Sequence, residues 1–363
     1  MRILFVTRKF PPSTGGMENA AFELYSALSA SNEVQLVKWG GANKLLPIVY
    51  PWLLVQALLK SLRHRPDVIY LQDGLMGPLG LVLKTVLRRP TVMTIHGLEA
   101  TYANPLYRAV VPPCIRRQTR LVAVSNETKL KVQQGLQGAN PVVIFNGLRD
   151  SFYQPRSRSE QLAIIATETG IAPEQLQANK LLHTGGRLVR RKGVLWFIDN
   201  VMPELLASGQ PIVYLVSGTG KDREVIEAAV REHGLENNVK LLGRVSDQLL
   251  QTLYNTADMF VMPNVPVPND MEGFGLVALE AASCGTAVVA SQLEGIQDAI
   301  INGQNGYLVQ PGDVAGYATV ISRELSGRTL SPEAVRAYTL GHYSWEETAR
   351  QYVALMQQLV AKA

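Results

Sequence analysis

Residues 259–280 read MFVMPNVPVPNDMEGFGLVALE: a short apolar run, a loop rich in turn residues and the start of an apolar helix. Two glutamates, Glu272 and Glu280, stand eight positions apart around a Gly-x-Gly turn. The glycines let the backbone approach a ligand closely, and the first turn of a helix offers free N–H groups to phosphate oxygens. The segment therefore predicts a site in which the two carboxylates hold different parts of one elongated ligand. The alternative is an ordinary loop-to-helix junction with solvated glutamates.

Short apolar runs alternate with helical stretches on both sides of this segment, which is typical of parallel α/β sheets. The predicted strands are Ile3–Thr7, Val34–Lys38, Val68–Leu71, Thr91–Ile95, Leu121–Val124, Val142–Ile144, Leu181–His183, Ile212–Ser217, Val239–Leu242, Met259–Met262, Ala287–Ala290 and Tyr307–Val309. Helices at Met17–Ser29 and Ser344–Val360 are predicted from apolar residues that recur on one stripe. We therefore expect the α/β fold class, with two doubly wound, Rossmann-like domains.

The length and a break in the pattern indicate where the domains meet. A chain of 363 residues is longer than one core usually holds. The polar, turn-rich segment Asn146–Arg158 interrupts the alternation just after Asn146-Gly147. We place the N-terminal domain at residues 1–155 and the C-terminal domain at 156–342. The last helix, in residues 343–363, is expected to pack back onto the first domain.

The composition excludes several classes of protein. With 47% hydrophobic and 18% charged residues the chain is typical of globular proteins. Two cysteines, Cys114 and Cys284, form neither a disulfide framework nor a tetrahedral cysteine site, which indicates a reducing compartment. Neither a signal-peptide pattern nor a run of about 18 uncharged apolar residues is found. We expect a cytoplasmic protein that does not span a membrane.

The charge is distributed unevenly along the chain. Residues 1–150 contain 18 Lys and Arg against 8 Asp and Glu, a net charge of +10, and the remainder has a net charge of −5. A basic half suggests an anionic partner, which could be a membrane, a nucleic acid or an acidic substrate. The segments Leu45–Leu62, Leu81–Arg89 and Tyr107–Arg120 mix apolar and basic residues. Leu45–Leu62 could lie on a membrane surface, or could be a core-facing helix whose basic last turn suits its dipole. The three segments together favour a peripheral contact of the N-terminal domain with an anionic membrane.

Basic residues follow the predicted strand Leu181–His183. Arg187 and Lys192 flank a short turn at its carboxyl end, where open α/β sheets bind ligands. A planar guanidinium and a flexible ammonium together suit a diphosphate. The alternative is a solvated basic turn.

Two weaker signals occur near the N-terminus. Gly15 and Gly16 stand between the first strand and the first helix and predict either an anion site or a flexible loop. His96 follows the strand Thr91–Ile95, where it either faces a ligand-binding cleft or has a structural role.

These four segments in this order resemble family 4 glycosyltransferases, of the group 1 type, over nearly the whole chain. Further matching segments are Asn146-Gly147, Gly218-Thr219-Gly220, Ala257–Pro263, Asn305–Val309 and Tyr343–Glu346. The resemblance implies a GT-B fold, in which two Rossmann-like domains face each other across a cleft. It also implies a retaining enzyme that transfers a hexose-type sugar from GDP-mannose or a UDP-sugar. The acceptor would be a glycan, a phospholipid or a lipid-linked molecule of the kind used in cell-envelope glycan synthesis.

The resemblance implies roles for particular residues. Arg187 and Lys192 would bind the donor diphosphate and stabilise the leaving group, Glu272 would contact the transferred sugar, and His96 would lie near the reacting carbon. Glu280 would bond the nucleotide ribose. The residues implied to bind the donor are Gly15, Gly16, Arg187, Lys192, Gly218, Gly273, Phe274, Gly275, Leu276 and Glu280.

Two segments depart from the family pattern. Where the family has Gly-Gly-x-Pro-Glu, this chain has Glu294-Gly-Ile-Gln-Asp298, so no role is carried over to that loop, although Asp298 keeps an acid. The loop Asn264–Met271 is longer than the usual link and is expected to shape or cover the pocket for the donor sugar.

The sequence offers no ligands for a metal, because it contains neither an Asp-x-Asp pair nor paired histidines at ligand spacing. We therefore expect a metal-independent reaction without a cofactor. Gly218-Thr-Gly-Lys221 is not a P-loop, because Asp222 replaces the hydroxyl residue that would hold magnesium. A nucleic-acid partner is not expected, because no aromatic residues are interleaved with the basic turn. The alternatives are a sugar-nucleotide epimerase of the same architecture and a non-catalytic nucleotide-sugar binding protein.

Overall fold

The computed structural model describes residues 1–13, 15–41, 45–97, 99, 102, 104–148, 152–268 and 270–362. Thr14 of the glycine-containing loop and residues 149–151 of the expected domain junction lie outside this part of the chain. Two compact units are present: unit 1 comprises Met1–Gly147 and Tyr343–Ala363, and unit 2 comprises Leu148–His342. The division at 147/148 falls eight residues before the predicted boundary at 155/156.

The described strands are all short and parallel to their neighbours. They are β1 Arg2–Thr7, β2 Glu33–Lys38, β3 Val68–Leu71, β4 Thr91–Ile95, β5 Arg120–Ala123, β6 Val142–Val143, β7 Lys180–Gly185, β8 Ile212–Ser217, β9 Val239–Gly243, β10 Met259–Met262, β11 Val288–Ser291 and β12 Gly306–Val309. Each predicted strand is found, with ends that differ by at most a few residues.

The described α-helices separate these strands. They are α1 Gly16–Ser29, α2 Leu46–His64, α3 Gly77–Leu87, α4 Pro105–Arg116, α5 Asn126–Gly135, α6 Arg158–Thr169, α7 Pro173–Ala178, α8 Val194–Trp196, α9 Met202–Ala207, α10 Arg223–Glu232, α11 Asp247–Thr256, α12 Leu276–Ser283, α13 Ile296–Ala299, α14 Val314–Ser326, α15 Pro332–His342 and α16 Trp345–Val360. A π-helical turn at Phe197–Val201 joins α8 to α9. Within the described residues, no helix combines the length and hydrophobicity needed to cross a bilayer.

The order of the strands sets where ligands bind. The sheet of unit 1 has the order β2-β1-β3-β4-β5-β6, and that of unit 2 has the order β12-β11-β10-β7-β8-β9. The direction in which strands are added reverses between β1 and β3 in unit 1 and between β7 and β10 in unit 2. Open α/β sheets bind ligands beyond the carboxyl ends of the strands at such a reversal. The predicted doubly wound α/β class is therefore confirmed for both units.

The inner strands of each sheet are almost continuous runs of buried apolar residues, as expected for parallel sheets that are covered on both faces. In unit 1, α2, α3, α4 and α5 contribute to the core on one face of the sheet. Helices α1 and α16 contribute to the core on the other face, where Trp345, Tyr352 and Met356 are buried. Ser344 caps α16 by accepting a hydrogen bond from the amide of Glu347. The last helix of the chain thus completes the first unit.

Candidate active site

An ion-pair cluster lies at the strand reversal of unit 2. Lys192 ends a 3₁₀ turn, Arg190–Lys192, in the loop after β7, and Glu272 lies in the loop after the neighbouring strand β10. The Nζ atom of Lys192 is 2.5 Å from Oε2 of Glu272. Arg191 pairs with the same carboxylate oxygen, and Asn264 donates to it at 3.3 Å. The fold thus brings Lys192 and Glu272, which are distant in sequence, into direct contact.

The cluster is largely shielded from water, which strengthens its interactions. The side chains of Glu272, Lys192 and Arg191 are between 9% and 14% exposed. Burial by itself raises the pKa of Glu272, but the charges and hydrogen bonds of Lys192 and Arg191 outweigh burial and lower that pKa to about 2. Glu272 is therefore a carboxylate at every physiological pH. Because an ammonium has three N–H donors, Lys192 can hold Glu272 and a second anion together.

Glycines hold the loops of this edge in close contact. Gly193, which follows Lys192, has φ +67°, and a Cβ there would lie 1.7 Å from the carbonyl oxygen of Pro263. Gly218 has φ +127°, and a Cβ there would lie 1.7 Å from the carbonyl oxygen of Gly186. A side chain at either position is excluded by both conformation and space. The loop that carries Arg187 and Lys192 therefore packs on the loops after β10 and β8.

Arg187 differs from Lys192 in its surroundings. Its side chain is exposed, and within the described residues it makes no ion pair. Arg191, which the sequence analysis did not single out, is the residue that shares Glu272, and it also pairs with Asp270 at 3.0 Å. The guanidinium of Arg187 is therefore accessible to a ligand, whereas that of Arg191 is already held by two carboxylates.

The long loop Asn264–Met271 contributes to the cluster. Asp270 pairs with Arg191, and the amide of Val265 donates to the carbonyl oxygen of Arg191 at 3.0 Å. Asn269 lies outside the described residues. The loop thus contacts both the guanidinium and the backbone of Arg191.

The loop that departs from the family pattern packs against Glu272. The amide of Glu272 donates to the carboxylate of Glu294 at 2.5 Å, and the amide of Gly295 donates to the carbonyl oxygen of Glu272 at 3.2 Å. A Cβ on Gly295 would lie 2.1 Å from the carbonyl oxygen of Gly273. Phe274 is buried. This loop therefore positions the backbone around Glu272.

Glu280 has a different partner from Glu272. It lies on α12, which begins at Leu276 directly after Gly275 at φ +86°. The hydroxyl of Tyr254, from α11, donates to Oε2 of Glu280 at 2.9 Å. Burial and then the charge of Glu280 raise the pKa of Tyr254 well above its usual value, so the phenol keeps its proton. Tyr254, a further residue that the sequence analysis missed, thus holds one oxygen of the Glu280 carboxylate.

At the carboxyl edge of unit 1, Gly15 precedes α1, Gly16 begins it, and His96 follows β4. Within the described residues, the amides of Gly15 and Gly16 make no hydrogen bond. The Nε2 atom of His96 is 2.9 Å from the carbonyl oxygen of Gln72. Because a carbonyl oxygen only accepts, Nε2 carries a proton, which leaves Nδ1 as the nitrogen that can meet a ligand.

A buried ion pair marks the strand reversal of unit 1, although the sequence analysis did not single it out. Arg8 follows β1 and Asp73 lies just beyond β3, and their side chains are 3.0 Å apart with almost no exposure. Glu99 accepts hydrogen bonds from the amides of His96 and Gly74. The signal that could have found Arg8 and Asp73 is their position after strands that flank the reversal. Among the described residues of both units, no group of three His, Cys, Asp or Glu side chains is placed to hold a metal ion.

The two doubly wound units match the GT-B fold of solved glycosyltransferase structures. Residues 14–152 match the family model Glycosyltransferase Family 4, and residues 178–326 match the model Glycosyl transferases group 1. The chain belongs to the family 4 glycosyltransferases of the group 1 type.

Individual relatives agree with this assignment. An uncharacterized glycosyltransferase of Methanocaldococcus jannaschii is 26% identical, over 97% of both chains. Glycogen synthase of Mycobacterium tuberculosis is 29% identical, over 80% of this chain and 69% of its own. The solved structure of Anabaena HepE in complex with UDP has a TM-score of 0.78 with 21% identity, over 99% of this chain and 100% of its own. HepE has also been solved with UDP-glucose.

Proposed function

We propose that the protein transfers a hexose-type sugar from GDP-mannose or a UDP-sugar to a glycan, phospholipid or lipid-linked acceptor, with retention of anomeric configuration. The observation that carries the proposal is the ion pair between Lys192 and Glu272 at the strand reversal of unit 2. A cation and a carboxylate in contact suit a reaction in which negative charge grows on one fragment and positive charge on the other. The UDP and UDP-glucose bound by HepE, a protein of the same fold, support a nucleotide-sugar donor.

Lys192 and Arg187 act on the leaving group. During transfer the bond between the sugar carbon and the diphosphate oxygen breaks, and its electron pair stays on the diphosphate. The acceptor oxygen bonds to the carbon, and the proton of the acceptor hydroxyl passes to the departing diphosphate. Cations placed in advance stabilise the charge that develops on the diphosphate. Lys192 is held in place by Glu272, and the side chain of Arg187, in the same loop, is exposed. Their combined charge replaces that of a metal.

Glu272 acts on the sugar as a carboxylate. With a pKa of about 2 it has no proton to donate at neutral pH, so it does not serve as a general acid. Its negative charge suits the positive charge that develops on the transferred sugar. Its oxygens can also accept hydrogen bonds from the sugar hydroxyls.

The remaining predicted residues serve the nucleotide and the acceptor side. Glu280, held by Tyr254, accepts hydrogen bonds from the ribose hydroxyls, and the Gly218 loop passes near the nucleotide. The backbone of Gly273, Phe274, Gly275 and Leu276 approaches the donor. In unit 1, the amides of Gly15 and Gly16 contribute N–H donors to the diphosphate, and His96 presents Nδ1 near the reacting sugar.

A contact with an anionic membrane is also part of the proposal. The net charge of +10 in residues 1–150 supports attraction to the negatively charged cytoplasmic face of a membrane. Each Lys or Arg near such a surface contributes about 1 kcal/mol, within a Debye length. Residues 151–363, which include most of the C-terminal unit, have a net charge of −5 and lack this attraction.

We expect transfer to continue at its full rate in excess chelator. The reason is that Lys192 and Arg187 supply the positive charge that a divalent cation supplies in other transferases. The measurement follows a labelled sugar from nucleotide-sugar to acceptor with and without EDTA, and metal-depleted protein serves as the control. Activity that EDTA removes and magnesium or manganese restores would contradict metal independence.

A further inference from the structure

Helix α2 has an apolar outer face. The exposed large apolar residues recur at the spacing of one helical stripe: Ile48, Trp52, Val55, Leu59 and Leu62, with exposed fractions between 47% and 75%. The opposite stripe of the helix, including Leu53 and Ala57, is fully buried against the sheet. A surface helix normally turns charged and polar residues to water. This helix therefore needs an apolar partner on its outer side.

The apolar surface extends to the neighbouring helices. Helix α3 packs against both α2 and α4 on the same face of the sheet. Val82 and Val86 are exposed on α3, and Leu106 and Val110 are exposed on α4. We call the outer face of α2, α3 and α4 the apolar layer. Its exposed apolar side chains are more numerous than those of ordinary surfaces. They also form a continuous group instead of being scattered singly.

Arginines collect at one end of the apolar layer. The three helices lie between parallel strands, so their carboxyl ends meet at one edge of the unit. Exposed arginines stand at or just after those ends: Arg63 and Arg65, Arg88 and Arg89, and Arg116 and Arg117. None of the six makes an ion pair within the described part of the chain. The three helices contain no Asp or Glu at all.

We infer that the apolar layer of α2, α3 and α4 is a docking surface for an anionic lipid bilayer, with α2 lying in the interface and its outer side chains inserted among the acyl chains. The arginines at the helix ends then meet the phosphates of the headgroups. Trp52 lies in the middle of the stripe, and tryptophan favours the interface between lipid and water.

A second copy of the chain, bound in a dimer, would be less complementary to the apolar layer than a bilayer is. A two-fold dimer would place the same patch of both copies together, including their arginines. With no acidic residue on the three helices, those arginines would find no acidic partner on the facing helices of the other copy. An anionic bilayer is complementary to the apolar stripe and to the arginines at once. The inference rests on the membrane contact proposed above and not on the transfer chemistry.

The test is flotation of the full-length protein with vesicles, comparing the wild type with Ile48→Ser/Leu59→Ser/Leu62→Ser. These three side chains are exposed, so their replacement leaves the core intact. The matched control is Leu130→Ser/Val225→Ser, which removes two equally exposed apolar residues, 51% each, outside the apolar layer. We expect the wild type and the control to float with vesicles of phosphatidylcholine and phosphatidylglycerol. The triple variant should lose about tenfold or more of that binding.

Salt separates the apolar part of the contact from the electrostatic part. Because apolar insertion is not screened, some wild-type binding to phosphatidylglycerol vesicles should survive molar salt, and the triple variant should retain none. Thermal stabilisation by UDP or GDP should be equal in all three proteins, which shows that they are folded and that the donor site is independent.

Three results would overturn the inference. A wild type that stays at the bottom with anionic vesicles at low salt removes the membrane contact altogether. A triple variant that floats like the wild type leaves the contact but assigns it to another surface. A wild type that sediments as a dimer, and becomes monomeric only in the triple variant, makes the apolar layer an interface between copies of this chain.

Discussion

Replacing Lys192 by alanine is expected to lower kcat/KM for sugar transfer by about 10²–10³-fold, because it removes a preorganised cation from the leaving group. The fold should survive, since Glu272 keeps Arg191 as an ion-pair partner. Arg187→Ala should weaken nucleotide binding by about 1.5–3 kcal/mol, as expected for one charge-assisted contact, and should also lower turnover.

Two variants make this result interpretable. Arg190→Ala removes an exposed arginine from the same short turn and should leave turnover unchanged. Lys192→Arg keeps the charge but replaces a compact ammonium with a planar fork, so it should restore activity only in part. The measurements are initial rates over a range of donor concentrations, with melting temperature as the check on folding. Wild-type turnover in both Lys192→Ala and Arg187→Ala would remove the two residues from the site.

Glu272→Ala is expected to destabilise unit 2 and to abolish transfer. The change removes the carboxylate that pairs with Lys192 and one of the two that pair with Arg191, while both cations are less than one tenth exposed. Breaking such a pair should cost about 3 kcal/mol, at the lower end for buried pairs, because Asp270 still faces Arg191. The melting temperature should then fall by about 6–12 °C. Glu227→Ala, which breaks a surface pair with Arg223, should change it little.

The same variant tests where the diphosphate binds. If the diphosphate lies beside Lys192, UDP or GDP neutralises the cations that Glu272→Ala leaves unpaired. The nucleotide should therefore raise the melting temperature of Glu272→Ala by more than it raises that of the wild type. An equal rise in both proteins would mean that the diphosphate binds away from this cluster.

The strands and their order illustrate what a sequence predicts well. Each inner strand of the two sheets is buried on both faces, so it reads as a short apolar run with polar turns at its ends. Residues that follow neighbouring parallel strands meet at one edge, which is why Arg187 and Lys192 were found from their position after β7. Glu272 and Glu280 were found from the turn between them, before either had an identified partner.

The partners of these residues were harder to predict. Arg191 stands between Arg190 and Lys192, and only the direction of the short turn decides that Arg191 and Lys192 reach Glu272 while Arg190 is exposed. Tyr254 lies on another helix and contacts Glu280 through the packing of α11 beside α12. The exposed stripe of α2 was hard to predict for a related reason. A helix with apolar residues on all sides is interpreted from its sequence as a buried helix. Only the structure separates the stripe of Leu53 from that of Ile48.

We propose that this protein moves a sugar from a nucleotide diphosphate donor to an acceptor. The most direct measurement supplies labelled GDP-mannose and UDP-hexoses, each with a lipid and glycan extract, and counts both the label on acceptor and the nucleoside diphosphate released. We predict that one donor gives equal amounts of both products, and that neither forms with Lys192→Ala. Conversion of the donor into another nucleotide-sugar without an acceptor would make the protein an epimerase. Binding of a nucleotide-sugar with no product would make it a binding protein, and either result would contradict the claim.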